Sequence, residues 1–226
     1  MSYVGQAVVI EMLEHSAFVR EYVIELEKER KYNPGSFVQL SLELVNASDI
    51  WPESRTFSIA SYEKRAMRFI IKKSGSYTSK IFDELCVGKK CTVKYPFGDL
   101  FKKETVNEKH LFIAGGLGIT PFLGIIQFMV ANGYRDNASL LYSAKYFQDI
   151  IHYDILKSAF GEQMELFITR EKIAGSHNHR ISLDDIMRTT SVDSNVYICG
   201  SKEFIKYYSN LLNVYGFRKI HVDEWE

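Results

Sequence analysis

The chain has 226 residues, 46% apolar and 25% charged, a globular composition with room for one large domain or two small ones. Lys+Arg and Asp+Glu are both 28, a balance that argues against a general nucleic-acid binder while leaving room for a local basic patch facing an acidic protein partner. No basic segment precedes the short apolar run of MSYVGQAVVIEML, so no signal peptide is expected and the expected location is cytoplasmic.

Residues 1–103 read as β-structure. Apolar runs over 3–10 and 18–27 predict two strands rich in Val, Ile, Phe and Tyr. Asn33-Pro34-Gly35 is a turn signal leading into residues 37–44, where Val38, Leu40, Leu42 and Leu44 alternate with Gln39, Ser41 and Glu43. Residues 56–60, 67–71 and 91–95 complete six short strands, which predict a small antiparallel barrel or sandwich. One helix is expected over 79–85, capped by Thr78 and Ser79. Cys86 and Cys91 have the first interval of a plant-type iron–sulfur pattern, but Lys94 stands where the third ligand would fall. With Cys199 they read as three free thiols, no metal site is expected, and His177 and His179 read as a polar loop.

Beyond the charged, glycine-free link KKETVNEK, read as a hinge, the rhythm changes. Over residues 107–226 strands alternate with helices: LFIAG, a helix from Pro121, ASLLYS, a helix over 149–159, MELFITR, the short helix SLDDIMR, NVYICG, and a helix over 202–215. Such alternation predicts a parallel sheet covered by helices. Residues 111–134 carry no charge and have the length of a membrane span, yet their glycines, proline, Gln127 and Asn132 fit one poorly.

Three stretches carry chemistry. In LFIAGGLGITPF a strand runs into Gly115, Gly116 and Gly118, with Thr120 a candidate N-cap and Pro121 a first helical residue. Backbone N–H groups at such a helix start suit a phosphate. An ordinary strand-turn-helix with no ligand would look the same. In RTFSIAS, Arg55 can hold a pyrophosphate through a bidentate fork. Phe57 shares its strand face and offers a flat surface to a ring, and Ser58 brings a hydroxyl for a ring nitrogen. A solvated arginine on an edge strand is the competing reading. In GSYTSK, a glycine followed by hydroxyls at a helix start, with Lys80 nearby, again suits an anion, or simply caps the helix.

Taken in order, Arg55-Thr56-Phe57-Ser58, then Gly75-Ser76-Tyr77-Thr78, then Gly116-Leu117-Gly118-Ile119-Thr120-Pro121, then Cys199-Gly200, resemble the ferredoxin–NADP reductase family across nearly the whole chain. GSYTSK is most similar to the bacterial members. The resemblance implies an FAD-binding antiparallel β-barrel at 1–103 and an NAD(P)-binding α/β domain at 107–226. It implies that Arg55 holds the FAD pyrophosphate, with Thr56 also in the cofactor site, that Phe57 stacks on the flavin and that Ser58 lies near flavin N5. Gly75, Thr78 and Ser79 would bind FAD phosphates, and Gly116, Gly118, Thr120 and Pro121 would face the pyridine nucleotide. Cys199 and Gly200 would lie by the nicotinamide. Asp223 and Trp225 match the family's terminal acidic and aromatic pair, the aromatic covering the flavin as a gate.

The strand ending Ser143-Ala144-Lys145 has no carboxylate for a ribose 2′-OH, and Thr169-Arg170-Glu171 is similar to the family's NADP ribose segment. Ser143 and Arg170 therefore favour NADPH, with NADH the alternative. The implied activity passes a hydride between NAD(P)H and FAD and single electrons to or from ferredoxin or flavodoxin. Two rivals stand beside it: an NAD(P)H:flavin reductase using free flavin, and a reductase subunit of a larger complex.

Overall fold

Val38 and Leu40 alternate with Gln39 along the strand Phe37–Ser41, and both apolar side chains are fully buried. The same two-residue period sends Tyr22 and Ile24 inward from a second strand and Met67, Phe69 and Ile71 from a third. In the computed structural model, which describes residues 2–28, 31–62 and 66–224, these strands belong to the first of two compact units. That unit is Met1–Phe101 with Leu123–Gln127, and the second is Lys102–Phe122 with Phe128–Glu226.

The first unit holds β1 (Tyr3–Ser16), β2 (Val19–Leu26), β3 (Phe37–Ser41), β4 (Arg55–Ser58), β5 (Ala66–Lys72), α1 (Ser76–Glu84) and β6 (Lys90–Phe97). The strands form one antiparallel sheet in the order β4-β3-β6-β1-β2-β5. Its two edges approach one another, and the Ala60 N–H just after β4 donates to the Arg68 carbonyl of β5 at 2.8 Å. The sheet is thus a nearly closed barrel rather than a sandwich. Register shifts in β1 between Val9 and Glu11 and between Glu14 and Ser16 interrupt the β1–β2 ladder, the kind of bulge that bends a strand. Helix α1 buries Tyr77, Ile81 and Phe82 in the barrel core. Cys91 lies in that core too, where burial pushes its thiol up to about 12, so it stays protonated and inert.

The second unit holds β7 (His110–Gly115), the two ends of α2 (Thr120–Ala131, whose middle Leu123–Gln127 is counted with the first unit), β8 (Ala138–Ala144), α3 (Tyr153–Phe160), β9 (Met164–Ile168), α4 (Leu183–Thr189), β10 (Asn195–Cys199), α5 (Lys202–Val214) and β11 (Ile220–Asp223). All five strands are parallel, in the order β11-β10-β7-β8-β9. Leu111, Ile113, Val196 and Ile198 face one way and pack with Ile186 of α4 and Ile205, Tyr208 and Leu212 of α5. On the opposite face Phe112 meets Phe122 of α2 and Tyr197, with ring centroids 5.1 Å apart in both pairs. Helices therefore cover both faces. The charge-free stretch 111–134 becomes β7, a 3-10 turn and α2, and among the described residues no helix is long and apolar enough to cross a membrane.

Four local expectations change. Helix α1 starts at Ser76, so Thr78 is its third residue and not its cap. Thr120 is likewise inside α2, after a 3-10 turn over Gly116–Ile119, and its hydroxyl donates back to the Leu117 carbonyl at 2.8 Å. The expected helix over 149–159 begins later, at Tyr153. Ile220–Asp223, which ends on one member of the expected terminal pair, adds a fifth parallel strand that the alternation did not predict.

Candidate functional site

In the first unit, Arg55 opens β4 directly opposite Leu40 of β3. Its side chain is half exposed, with Nη1 donating to the Ser54 carbonyl at 2.8 Å and Nη2 lying 3.5 Å from Glu53 Oε1. The guanidinium sits over the Tyr77 ring, 4.9 Å from its centroid. Along β4, Thr56 is exposed, Phe57 partly buried and Ser58 buried.

Tyr77 belongs to the first turn of α1, so the helix start and Arg55 meet on one side chain. Gly75 is the N-cap residue, with extended backbone and no side-chain cap of its own. The Thr78 hydroxyl reaches back instead, accepting from Ser74 N–H at 2.9 Å and Gly75 N–H at 3.0 Å and donating to the Gly75 carbonyl at 3.1 Å. No heavy atom lies within 4 Å of where a Cβ on Gly75 would stand. The glycine is therefore not demanded by protein packing; it leaves the helix start open to an approaching group. A guanidinium beside an open helix N-terminus suits an anion with two phosphates. Arg55 of the expected FAD residues is thus brought to the helix start that carries Gly75, Thr78 and Ser79, an arrangement that fits a dinucleotide.

In the second unit the strand order reverses between β7 and β10, which is where ligands of open α/β sheets bind, outside the carboxyl ends. Both loops at that point carry expected site residues. After β7 comes the Gly116–Ile119 turn; after β10 come Gly200 and the N-terminus of α5, whose Ser201 Oγ accepts from Phe204 N–H at 3.2 Å. The two loops touch. A Cβ on Gly118 would lie 2.1 Å from the Cys199 carbonyl oxygen, so only glycine lets them pass. Gly116 has φ +55 and open space around its Cα, the conformation and clearance a ligand-facing glycine needs.

Cys199 is fully buried at the end of β10, flanked in register by Ala114 of β7 and Asp223 of β11. Asp223 thus reaches the same edge. Trp225 lies outside the described residues. On the other side of the sheet, backbone bonds continue beyond the strands: Thr169 N–H donates to Ala144 O at 3.0 Å and Arg170 N–H to Lys145 O at 3.0 Å. These bonds set Lys145 and Arg170 side by side, one residue after Ser143-Ala144. The Glu171 carboxylate accepts the Phe147 N–H.

Three contributors escape a reading by residue pattern. Tyr77 falls between the Gly75 and Thr78 that carry the GSYTSK reading. Phe204 explains two glycines, since a Cβ on Gly115 or Gly200 would meet its ring at 3.0 and 2.7 Å respectively. Ser201 caps α5, a signal that a Ser ahead of Lys-Glu-Phe does carry.

Residues 112–210 match the model of the oxidoreductase NAD-binding domain. The chain is 23% identical over 207 residues to the glycine betaine monooxygenase reductase subunit of Chromohalobacter salexigens, covering 85% of this chain and 55% of that protein. It spans about half the length of the curated relatives it matches. Among solved structures, the flavohem-like FAD/NAD-binding domain of nitric oxide dioxygenase from Vibrio cholerae superposes with a TM-score of 0.84 at 18% identity, covering 98% of both chains. A ferredoxin NADP+ reductase from Neisseria gonorrhoeae with bound FAD and NADP superposes with a TM-score of 0.81 at 19% identity, again over 98% of both. At these identities the structural likeness establishes the fold.

Proposed function

We propose that this chain is a member of the ferredoxin–NADP reductase-like family, and that it moves a hydride between NAD(P)H and bound FAD and exchanges single electrons with a protein partner. The observation that carries the reading is the contact between the Gly116–Ile119 turn and Cys199-Gly200 at the sheet's switch point, which joins the nucleotide loop to the expected redox-site cysteine.

Bound FAD would supply a ring nitrogen that accepts hydride and a ring system that releases electrons one at a time. The protein's task is to bind and orient. Arg55, Thr56 and the α1 start, Gly75 with Thr78 and Ser79, hold the pyrophosphate. Phe57 gives the flavin an apolar face, and Ser58 offers its hydroxyl to N5. Gly116, Gly118, Thr120 and Pro121 form the loop that receives the nicotinamide nucleotide's pyrophosphate. Cys199 and Gly200 bound the place for its nicotinamide, with Asp223 supplying a carboxylate at the same edge. NADPH is the proposed donor: Ser143, Lys145, Thr169 and Arg170 can receive a 2′-phosphate, and Glu171, the nearest carboxylate in sequence to Arg170, already accepts a backbone N–H. Ferredoxin or flavodoxin is the proposed acceptor, in a cytoplasmic setting that suits three free cysteines.

One observation favours a second reading. The monooxygenase reductase subunits that match are about one and a half times as long as this chain, so it can stand for the flavin-and-nucleotide part of such a reductase component.

The test is the visible spectrum of the purified protein, recorded without air before and after NADPH and then NADH. Flavin absorbance should survive gel filtration and bleach with one equivalent of NADPH. A colourless protein that oxidises NAD(P)H only when free flavin is added would replace this reading with the flavin reductase. For Cys199→Ala, FAD should stay bound while hydride transfer slows on the order of 10- to 100-fold, since sub-ångström positioning of reactants is what such a contact supplies. Stopped-flow flavin reduction measures it, and an unchanged rate would remove Cys199 from the site.

A further inference from the structure

Tyr77 is 95% buried in the barrel core, yet its hydroxyl is not idle there. It lies 3.2 Å from the Leu40 carbonyl and 3.1 Å from the Glu53 carbonyl, and it accepts the Leu42 N–H at 3.3 Å. Leu40 is the ladder partner of Arg55, and Glu53 precedes Arg55 by two residues. The ring face meanwhile carries the Arg55 guanidinium. One side chain in the first turn of α1 therefore grips β3, the loop entering β4, and the arginine itself.

An isoleucine or leucine here would fill the same core volume. It would leave the Glu53 carbonyl with only the Ser41 hydroxyl, which donates to it at 2.8 Å. It would also remove the flat surface on which the guanidinium lies, a contact worth most when partly desolvated. Burial raises the Tyr77 pKa, so the phenol keeps its proton and stays a donor at any physiological pH.

We propose that Tyr77 is a positioning residue that sets Arg55 against the open N-terminus of α1, and that this coupling is what makes the site select a flavin dinucleotide over riboflavin. The inference rests on the FAD reading above. Its chemistry is specific: the flavin ring is addressed by Phe57 and Ser58 on β4, whereas Tyr77 acts only through the two groups that face phosphates. A loosened Tyr77 should cost grip on the phosphates and leave grip on the ring.

The experiment measures dissociation constants of FAD and of riboflavin by quenching of flavin fluorescence, using apoprotein of the parent, Tyr77→Phe, Tyr77→Leu, Arg55→Ala and the Arg55→Ala/Tyr77→Phe pair. Tyr77→Phe keeps the ring and deletes only the hydroxyl. It should weaken FAD about tenfold, the worth of a hydrogen bond holding a charged group in place, with riboflavin unchanged. Tyr77→Leu should weaken FAD further. In the Arg55→Ala background Tyr77→Phe should have little added effect, because the residue it positions is gone. Equal losses for FAD and riboflavin, or fully additive losses in the double variant, would reduce Tyr77 to a core residue and overturn the inference while the FAD reading stands. A parent that binds FAD no more tightly than riboflavin would overturn both.

Discussion

Gly118→Ala is expected to be the most damaging single-methyl change in the second unit. The added Cβ would stand 2.1 Å from Cys199 O, 2.4 Å from Cys199 C and 2.7 Å from Gly200 N. These are backbone atoms, and no rotamer change can move them aside. Cys199 is held on both flanks, by Ala114 of β7 and Asp223 of β11, so the strand end cannot retreat without breaking a ladder. The loop must move instead. Overpacking of this kind costs typically 1–3 kcal/mol and occasionally more, so a loss of about 3 kcal/mol is expected. For a chain of this size that lowers the melting temperature by roughly 6–12 °C. The displaced loop should also raise the KM for NADPH at least tenfold, while FAD content stays as in the parent.

Gly116→Ala is the control within the same turn. There nothing stands within 4 Å of the new Cβ, but φ +55 makes a side chain uncomfortable, a cost of about 1–2 kcal/mol from backbone conformation alone. Thermal melts and nucleotide KM values of the two variants separate contact from conformation. A Gly118→Ala protein that melts with the parent would mean the two loops do not pass so closely.

Arg55→Ala carries the second large effect. Its guanidinium is half exposed and its present contacts are light: the Ser54 carbonyl, a 3.5 Å approach to Glu53 and the Tyr77 ring. The fold should therefore survive the change with little loss. Against a bound pyrophosphate the same group would make charge-assisted hydrogen bonds worth about 1.5–3 kcal/mol, which corresponds to a roughly 10- to 150-fold weaker hold on FAD. Arg55→Lys keeps the charge without the fork and should fall between. Flavin retained through gel filtration, read from the ratio of flavin to protein absorbance, gives the answer directly. If Arg55→Ala keeps its FAD as tightly as the parent, the arginine faces solvent and the assignment of the whole RTFS segment fails.

The chemistry proposed for this site is read from residues 55–58, 75–79, 116–121 and 199–200, residue types that few other roles require in that order. An arginine in a strand, glycines before two helix starts and a Cys-Gly at a strand end each have ordinary uses. Their succession across one change from β to alternating β and α does not. The alternation of Val38 with Leu40, or of Met67 with Phe69 and Ile71, likewise predicts strands because a pleated backbone permits no other way to bury every second residue.

What the sequence could not yield depends on neighbours distant along the chain. Thr78 and Thr120 both read as helix caps, and both lie inside their helices; which turn starts a helix is settled by what the preceding backbone packs against. The partners of Glu108 are Asn195 and Lys219, more than 80 residues on, a pairing that no local pattern announces. Residues 220–223 carry too short an apolar pattern to declare a strand, and become one because the free edge of β10 supplies partners for their backbone.

By itself, then, the sequence determined the two kinds of architecture, their order and the residue types at each glycine-bearing turn, since these follow from local periodicity and from backbone geometry. Only the tertiary structure decided that the six strands nearly close, that Gly118 is needed because Cys199 passes 2.1 Å from its missing Cβ, and that Tyr77 joins Arg55 to the start of α1. The physical reason is the same in each case. Periodicity reports which face of an element is buried, whereas the close approach of two backbones or the partner of a buried hydroxyl is a property of pairs that only folding brings together.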